Sequence, residues 1–328
     1  GPFYLTCPKV TLVRLTGRLP RGVSAKDVIL KVLSVYGTQG NVGLVLEYGG
    51  PGLAGLGVPA RATITNMGAE LGVTTSVFPS DGVTRAFLKA QGREADWREL
   101  AADAGAAYDR VLEIDLGALE PLAAFPHSPG NVGTVASVAG TRVDQVLIGS
   151  CTNSSYRDLK TVALMLRGKK VCPDVEVGVA PGSRQVVEML AREGLLTDLV
   201  TAGVRILENA CGFCIGNHMS PGTGAVSLRT SNRNFEGRSG TQSARVFLVS
   251  PETAAAAALT GAFTDPRALA PPAEVAEPEA FCLDDSMFLY RETAGRGVPG
   301  AEIVRGPNIG QVPAGKPLPE ALDGVAVI

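Results

Sequence analysis

Short apolar runs alternate with amphipathic runs along most of this chain, and that alternation limits the folds open to it. VTLVRLTG, VGLVLEYGG and VTTSVFP have the length and β-branched content of strands. Between them, SAKDVILKVLSVYG, PARATITNMGAELG and SDGVTRAFLKAQG repeat apolar residues at helical spacing. Ser24 is placed to cap the first of these helices, Gly72 to end the second, and Ser80 or Asp81 to cap the third. ADWRELAADAG reads as a further, charged helix. The alternation resumes after residue 130. VDQVLIGS, DVEVGVAPGS, VRILENA, GAVSLRTS and ARVFLVS read as strands. SSYRDLKTVALMLRG, SRQVVEMLAREGLL and PETAAAAALTGAF read as helices, the last with Pro251 at its start. Strands that alternate with helices predict an α/β fold of mainly parallel sheets covered by helices.

Two such domains are expected, over 1–129 and 130–264. From Asp265 the chain turns Pro- and Ala-rich, so 265–328 reads as a linker and tail. With 45% hydrophobic and 19% charged residues in 328, the chain has the material for packed cores. A net charge of -2, with one small basic cluster at Arg167–Lys170, argues against a nucleic-acid partner. No apolar run reaches the roughly 18 residues of a membrane helix, so no membrane partner is expected. The start shows no signal-peptide pattern. Six scattered cysteines do not make a disulfide scaffold, which points to a reducing cytoplasm.

Chemistry-bearing residues gather where strands end. LIGSCTNSS puts Cys151 directly after a strand. LENACGFCIGNH puts Cys211 and Cys214 after another, and RTSNRNFEGRSG puts Asn232, Arg233 and Arg238 after a third. Ligands bind at the C-terminal ends of strands in open α/β sheets, so these loops suggest one convergent site. The thiols admit several readings. A redox dithiol would sit near the start of a small βαβ domain, and this pair lies deep in a large chain. Cys151, Cys211, Cys214 and His218 would make a zinc set, though structural zinc more often takes two close-spaced pairs. Cys7, Cys172 and Cys282 suit buried, inert thiols, and His127 and His218 suit structural roles. An iron–sulfur cube held by three thiolates would leave one iron open, which is the mark of a catalytic metal.

IGSCTNSS, ACGFCIG and SNRNFEGRSG resemble motifs of the aconitase superfamily of hydro-lyases. SAKDVILKV, VLEYGGPG and TITNMGAELGVTTSVFPSD extend the resemblance upstream, in order, over roughly residues 1–265. The resemblance implies a [4Fe–4S] cluster on Cys151, Cys211 and Cys214, with Ser150, Asn66 and Asn232 around it. It implies a catalytic role for Glu70, and substrate carboxylates on Arg233 and Arg238. Asn66 and Glu70 stand four apart, which puts them on one helical face. Planar guanidinium forks suit a di- or tricarboxylate better than lysines do. GAELGVTTSVFP leans toward aconitase proper, so the expected reaction is citrate to isocitrate through cis-aconitate. The alternatives are isopropylmalate, homoaconitate or methylcitrate isomerisation within the family, or a non-catalytic cluster- or zinc-binding protein.

Two departures stand out. Phe213 occupies the place of the proline usual between the paired cysteines of the family. The family's Asp–His pairs and its Gly-Ser-Ser-Arg-Glu motif are not found. The chain is therefore expected to be incomplete, with an N-terminal domain and a C-terminal swivel domain, or a separate swivel subunit, supplying the rest.

Overall fold

In the computed structural model, residues 6–269 and 275–288 are described, together with 4, 271, 290, 306, 310 and 315. The contacts divide the chain into one unit of residues 1–283 and another of 284–328. Both sheets belong to the first unit.

The first sheet is built from β1 (Lys9–Thr16), β2 (Leu44–Gly49), β3 (Thr75–Val77) and β4 (Arg110–Asp115). Its order is β3-β2-β1-β4, and every pairing is parallel. Parallel neighbours need crossovers, and α1 (Ala25–Tyr36), α2 (Val58–Gly68) and α3 (Gly82–Ala90) lie in these connections. Ser24 caps α1 in a capping box with Asp27. Asp81, not Ser80, caps α3, accepting from the N–H groups of Val83 and Thr84. Gly72, left-handed, follows a short 3-10 turn that continues α2 through Ala69–Leu71.

The second sheet takes β5 (Leu122–Ala124), β6 (Val132–Thr134), β7 (Gln145–Gly149), β8 (Glu176–Ala180), β9 (Arg205–Ile206), β10 (Val226–Arg229) and β11 (Arg245–Val249). Its order is β6-β5-β11-β10-β7-β8-β9. The centre is parallel, and β5 and β6 form an antiparallel edge. The sheet therefore begins at Leu122, ahead of residue 130. Those two strands are three residues each, too short for periodicity to reveal. α4 (Tyr156–Leu166), α5 (Arg184–Arg192), α6 (Leu195–Ala202) and α7 (Pro251–Thr260) complete it. Ala254 to Ala258 of α7 are all fully buried, because methyl side chains allow the helix to lie close on its neighbours.

Three expected elements differ. ADWRELAADAG is a 3-10 turn at Glu94–Asp96 followed by exposed chain. Its apolar residues are engaged otherwise: Leu100 forms a β-bridge with Ser80, and the Trp97 ring lies under the Arg85 guanidinium at 5.3 Å. An isolated helix of that length is marginal in water. SRQVVEMLAREGLL splits into α5 and α6 at Gly194, whose φ of 72° is left-handed. Of VRILENA only Arg205–Ile206 is strand, and the rest leads into the cysteine loop.

The two sheets share core. Leu122, Ala124 and Leu248 of the second sheet pack with Val28, Ile29, Val32 and Leu33 of α1. α1 is thus buried around most of its surface, including Lys26 and Asp27. Part of the expected linker also packs. The Phe281 N–H donates to Ala90 O at 3.0 Å and its ring meets Phe87 edge-on at 5.5 Å. The Cys282 carbonyl accepts from Gln185 of α5 at 3.0 Å. Cys282 and Cys172 are part-buried and Cys7 is exposed, so the expectation that all three lie buried fails for Cys7.

Candidate active site

The loops after β7, β9 and β10 and the end of α2 meet at the C-terminal end of the second sheet's strands. β7 ends on Gly149, where φ is 130° and an added Cβ would stand 2.1 Å from the Ala180 carbonyl oxygen. Only glycine fits so close a crossing. Ser150 follows at φ 68°, a left-handed conformation that a non-glycine residue adopts at a cost. The turn leaves Ser150 buried and Cys151 exposed. Thr230, at the end of β10, ties this turn to its neighbour strand. Its hydroxyl accepts from Gly149 N at 2.9 Å and donates to Gly149 O at 3.2 Å.

α2 grips the same loop. The Asn66 amide donates to Cys151 O at 2.9 Å and to the Thr152 hydroxyl at 3.3 Å. The Thr63 hydroxyl donates to Thr152 O at 2.9 Å. Glu70, in the turn that continues α2, reaches the loop after β10. Its Oε1 accepts from Asn232 Nδ2 at 3.0 Å and from Arg233 Nε at 2.8 Å. The Glu70 side chain is only 6% exposed and that of Arg233 46%, so one end of the pair is buried and the other faces solvent. Burial pushes the Glu70 carboxyl up, while Arg233 foremost, then Arg238 and Lys26, pull it back. Asn234 pins the loop's far side, donating to Phe125 O at 2.9 Å and Val246 O at 3.1 Å.

Cys211 is exposed and Cys214 part-buried, and none of the three site thiols forms a disulfide. Burial raises the Cys214 thiol. A hydrogen bond from Ser150 lowers it, and the charges of Cys211 and Cys151 raise it further, so the three thiols feel one another. Of the sequence-expected residues, Asn66 meets the Cys151 loop, Glu70 meets Asn232 and Arg233 with Arg238 nearby, and Ser150, Cys151, Cys211 and Cys214 neighbour one another. Among the described residues, no three Cys, His, Asp or Glu side chains converge on a single ion. A cube asks less of the apoprotein, because each thiolate takes a different iron. In the loop after β10 that carries Arg233, Ser231 Oγ, Arg238 Nε and Ser239 Oγ are buried without hydrogen-bond partners, so donors of that loop are left for a bound group. The donor set and these orphaned groups therefore fit a three-thiolate cluster.

At the site, two buried cations escaped sequence reasoning. Lys26 of α1 donates to Thr230 O at 2.9 Å and Ser231 O at 2.6 Å. Arg229 of β10 donates to Phe213 O, to Met219 O at 3.4 Å and to Gln145 Oε1 at 3.0 Å. Arginine inside a strand otherwise read as apolar was a usable signal. Lys26 gave none, because a lysine in a first helical turn is ordinarily at the surface.

Comparison with known families decides where the chain belongs. The model of the aconitase family (aconitate hydratase) matches residues 1–140 and 134–261. This chain belongs to the aconitase family. A 3-isopropylmalate dehydratase large subunit 2 of Archaeoglobus fulgidus is 42% identical over 268 residues, 81% of this chain and 64% of that protein. A large subunit 1 of the same name from Thermotoga maritima is 41% identical over 270 residues, 81% of this chain and 65% of the relative. One from Rubrobacter xylanophilus is 40% identical, over 82% and 63% respectively. The chain thus spans just under two thirds of the length of these relatives. The solved structure of Thermococcus kodakaraensis aconitase X (holo-form) overlays 70% of this chain and 50% of its own, with a TM-score of 0.39 and 16% identity. Among the described residues, no helix is long and apolar enough to cross a membrane.

Proposed function

We propose that the protein carries the cluster-binding part of an aconitase-family hydro-lyase of the 3-isopropylmalate dehydratase type. The observation that carries this reading is the meeting of Glu70, Asn232 and Arg233 beside three free cysteines, in a chain about 40% identical to proteins of that name. The relatives favour the isopropylmalate alternative over the citrate expectation drawn from GAELGVTTSVFP. Their designation as large subunits supports a separate partner subunit. Free thiols suit a reducing cytoplasm.

Cys151, Cys211 and Cys214 would hold a [4Fe–4S] cluster, which when bound supplies a Lewis acid for the substrate hydroxyl. Arg233 and Arg238 bind and orient the carboxylates of a small hydroxy acid through paired N–H donors. Glu70 is the candidate for proton transfer, because its buried carboxyl is held by Asn232 and Arg233 beside the loops of the site. Burial favours its neutral form and Arg233 its ionised form, so its Oε atoms can take a proton and return it. Asn66 and Asn232 fix the Cys151 loop and the Glu70 carboxylate.

The test is anaerobic reconstitution with ferrous iron and sulfide, alongside a Cys151→Ala control, followed by assay with the partner subunit. About four iron and four sulfide per chain, lost in the control, with hydration of 2-isopropylmaleate but not cis-aconitate, is the expected result. Hydration of cis-aconitate alone would restore the citrate reading. Zinc without sulfide would sink both.

A further inference from the structure

Lys26 and Arg229 are fully buried, and each reaches a different loop of the site. The hydrogen bonds of Lys26 go to the carbonyls of Thr230 and Ser231, which immediately precede the Asn232–Arg233 pair on Glu70. Those of Arg229 go to the carbonyls of Phe213 and Met219, which frame Cys214 and the turn after it. Its ring partner is Phe213, with the guanidinium carbon 5.8 Å from the centroid, so the residue standing in place of the family's proline packs on the same cation. Gln145 and Ser227 hold the guanidinium from below, at 3.0 Å each.

Carbonyls carry no net charge, and a buried cation that meets only carbonyls is left without a counter-ion. Burial opposes the charge on both residues. Cys151 is the leading anionic neighbour that favours the Lys26 ammonium, ahead of Asp27, Asp158 and Cys214. Cys214 is the one that favours the Arg229 guanidinium. The carboxylate of Asp27 is itself taken up by the N–H groups of Ser24 and Leu122, at 2.8 Å each. For Arg229 the anionic neighbour is a thiol, and for Lys26 a thiol stands first, with the Asp158 carboxylate a further one.

We infer that Lys26 and Arg229 are paired positioning residues that fix the two ligand-bearing loops by their carbonyls and place positive charge beneath the thiolates and the anionic cluster they would carry. Neither touches the substrate; both act through Asn232, Arg233 and Cys214. The inference rests on the cluster reading above. It adds a division of labour: Lys26 sets charge and the arginine-bearing loop, and Arg229 sets the paired-cysteine loop.

Substitutions on the full-length protein separate these roles after anaerobic reconstitution. Lys26→Gln keeps N–H donors for the carbonyls and removes the charge. Its cluster content should match the wild type, and its reduction potential should shift negative, because a nearby positive charge favours the reduced state. Arg229→Lys keeps the charge and loses the fork. Its potential should stay close to the wild type, while iron is lost in air roughly tenfold faster. Thermal unfolding of the metal-free variants guards against misfolding, with Lys26→Arg as the rescue variant, expected to restore the potential. A Lys26→Gln cluster at the wild-type potential, together with unchanged iron loss in Arg229→Lys, would overturn the inference while leaving the cluster reading intact. A wild-type protein that assembles no cluster would overturn both.

Discussion

At the scale of single residues, the site turns on opposed forces at Glu70. Desolvation raises its carboxyl and Arg233 holds it down. If Glu70 accepts the proton, activity rises with pH through a midpoint above the ordinary carboxylate range. Arg233→Met removes the strongest lowering influence, so that midpoint should move further up, as kcat/KM profiles of the two proteins will check. Glu70→Gln keeps the hydrogen-bonding shape without the basicity, and should lose roughly 10²- to 10⁴-fold in kcat. Arg233→Lys should chiefly raise KM, because an ammonium cannot present the paired donors of a guanidinium. These residues were legible as types in motifs. That Glu70 meets Asn232 and Arg233 across 162 and 163 positions of sequence was not legible from spacing.

At the scale of elements, the loop between β7 and α4 is held by backbone geometry. Gly149 combines a φ of 130° with a carbonyl 2.1 Å from where a Cβ would stand, and that carbonyl belongs to a neighbouring strand. Gly149→Ala should therefore cost about 2–4 kcal/mol and move Cys151, which denaturant unfolding and iron content together would detect. Gly168→Ala is the control. There φ is 71° with nothing within 4 Å of the added Cβ, so about 1–2 kcal/mol and no loss of iron is expected. Phe281 and Cys282, in the segment from Val275 to Leu283, bridge α3 and α5. Phe281→Ala should lower stability by about 1–2 kcal/mol and expose the chain around it to protease. Proline and alanine content made this stretch read as a linker, since composition reports chain stiffness and not what a half-buried phenylalanine meets.

At the scale of the whole molecule, α1 joins the two sheets and brings ionisable groups into their seam. Burial foremost lifts the carboxyls of Asp27 and Glu252, each to about 7. A carboxyl raised on folding is protonated in the folded protein where the unfolded chain has already released its proton. Its stability contribution is full below the unfolded value and is lost as pH climbs through about 7. The thermal midpoint should therefore fall between pH 5 and pH 7. Lys26, lowered to about 7 by burial, acts in the opposite sense and only above that pH. Glu252→Gln should flatten the fall and add about 1–3 kcal/mol at neutral pH, as unfolding measured across the range would show.

The sequence by itself determined the α/β class, the helices that carry their own caps, and which residue types stand at strand ends. Those are local properties: periodicity, turn chemistry and the order of motifs are written along the chain. Only the tertiary structure decided that β5 and β6 join the second sheet, that the charged run after Arg93 lies along Ser80 and Arg85 as irregular chain and not as a helix, and that Lys26 and Arg229 hold the loops of the site. Each depends on what a segment packs against, and a charged side chain reads the same in sequence whether it faces water or two carbonyls. The site is assembled by such contacts between distant segments, so its members could be named from the sequence while the forces that hold them could not.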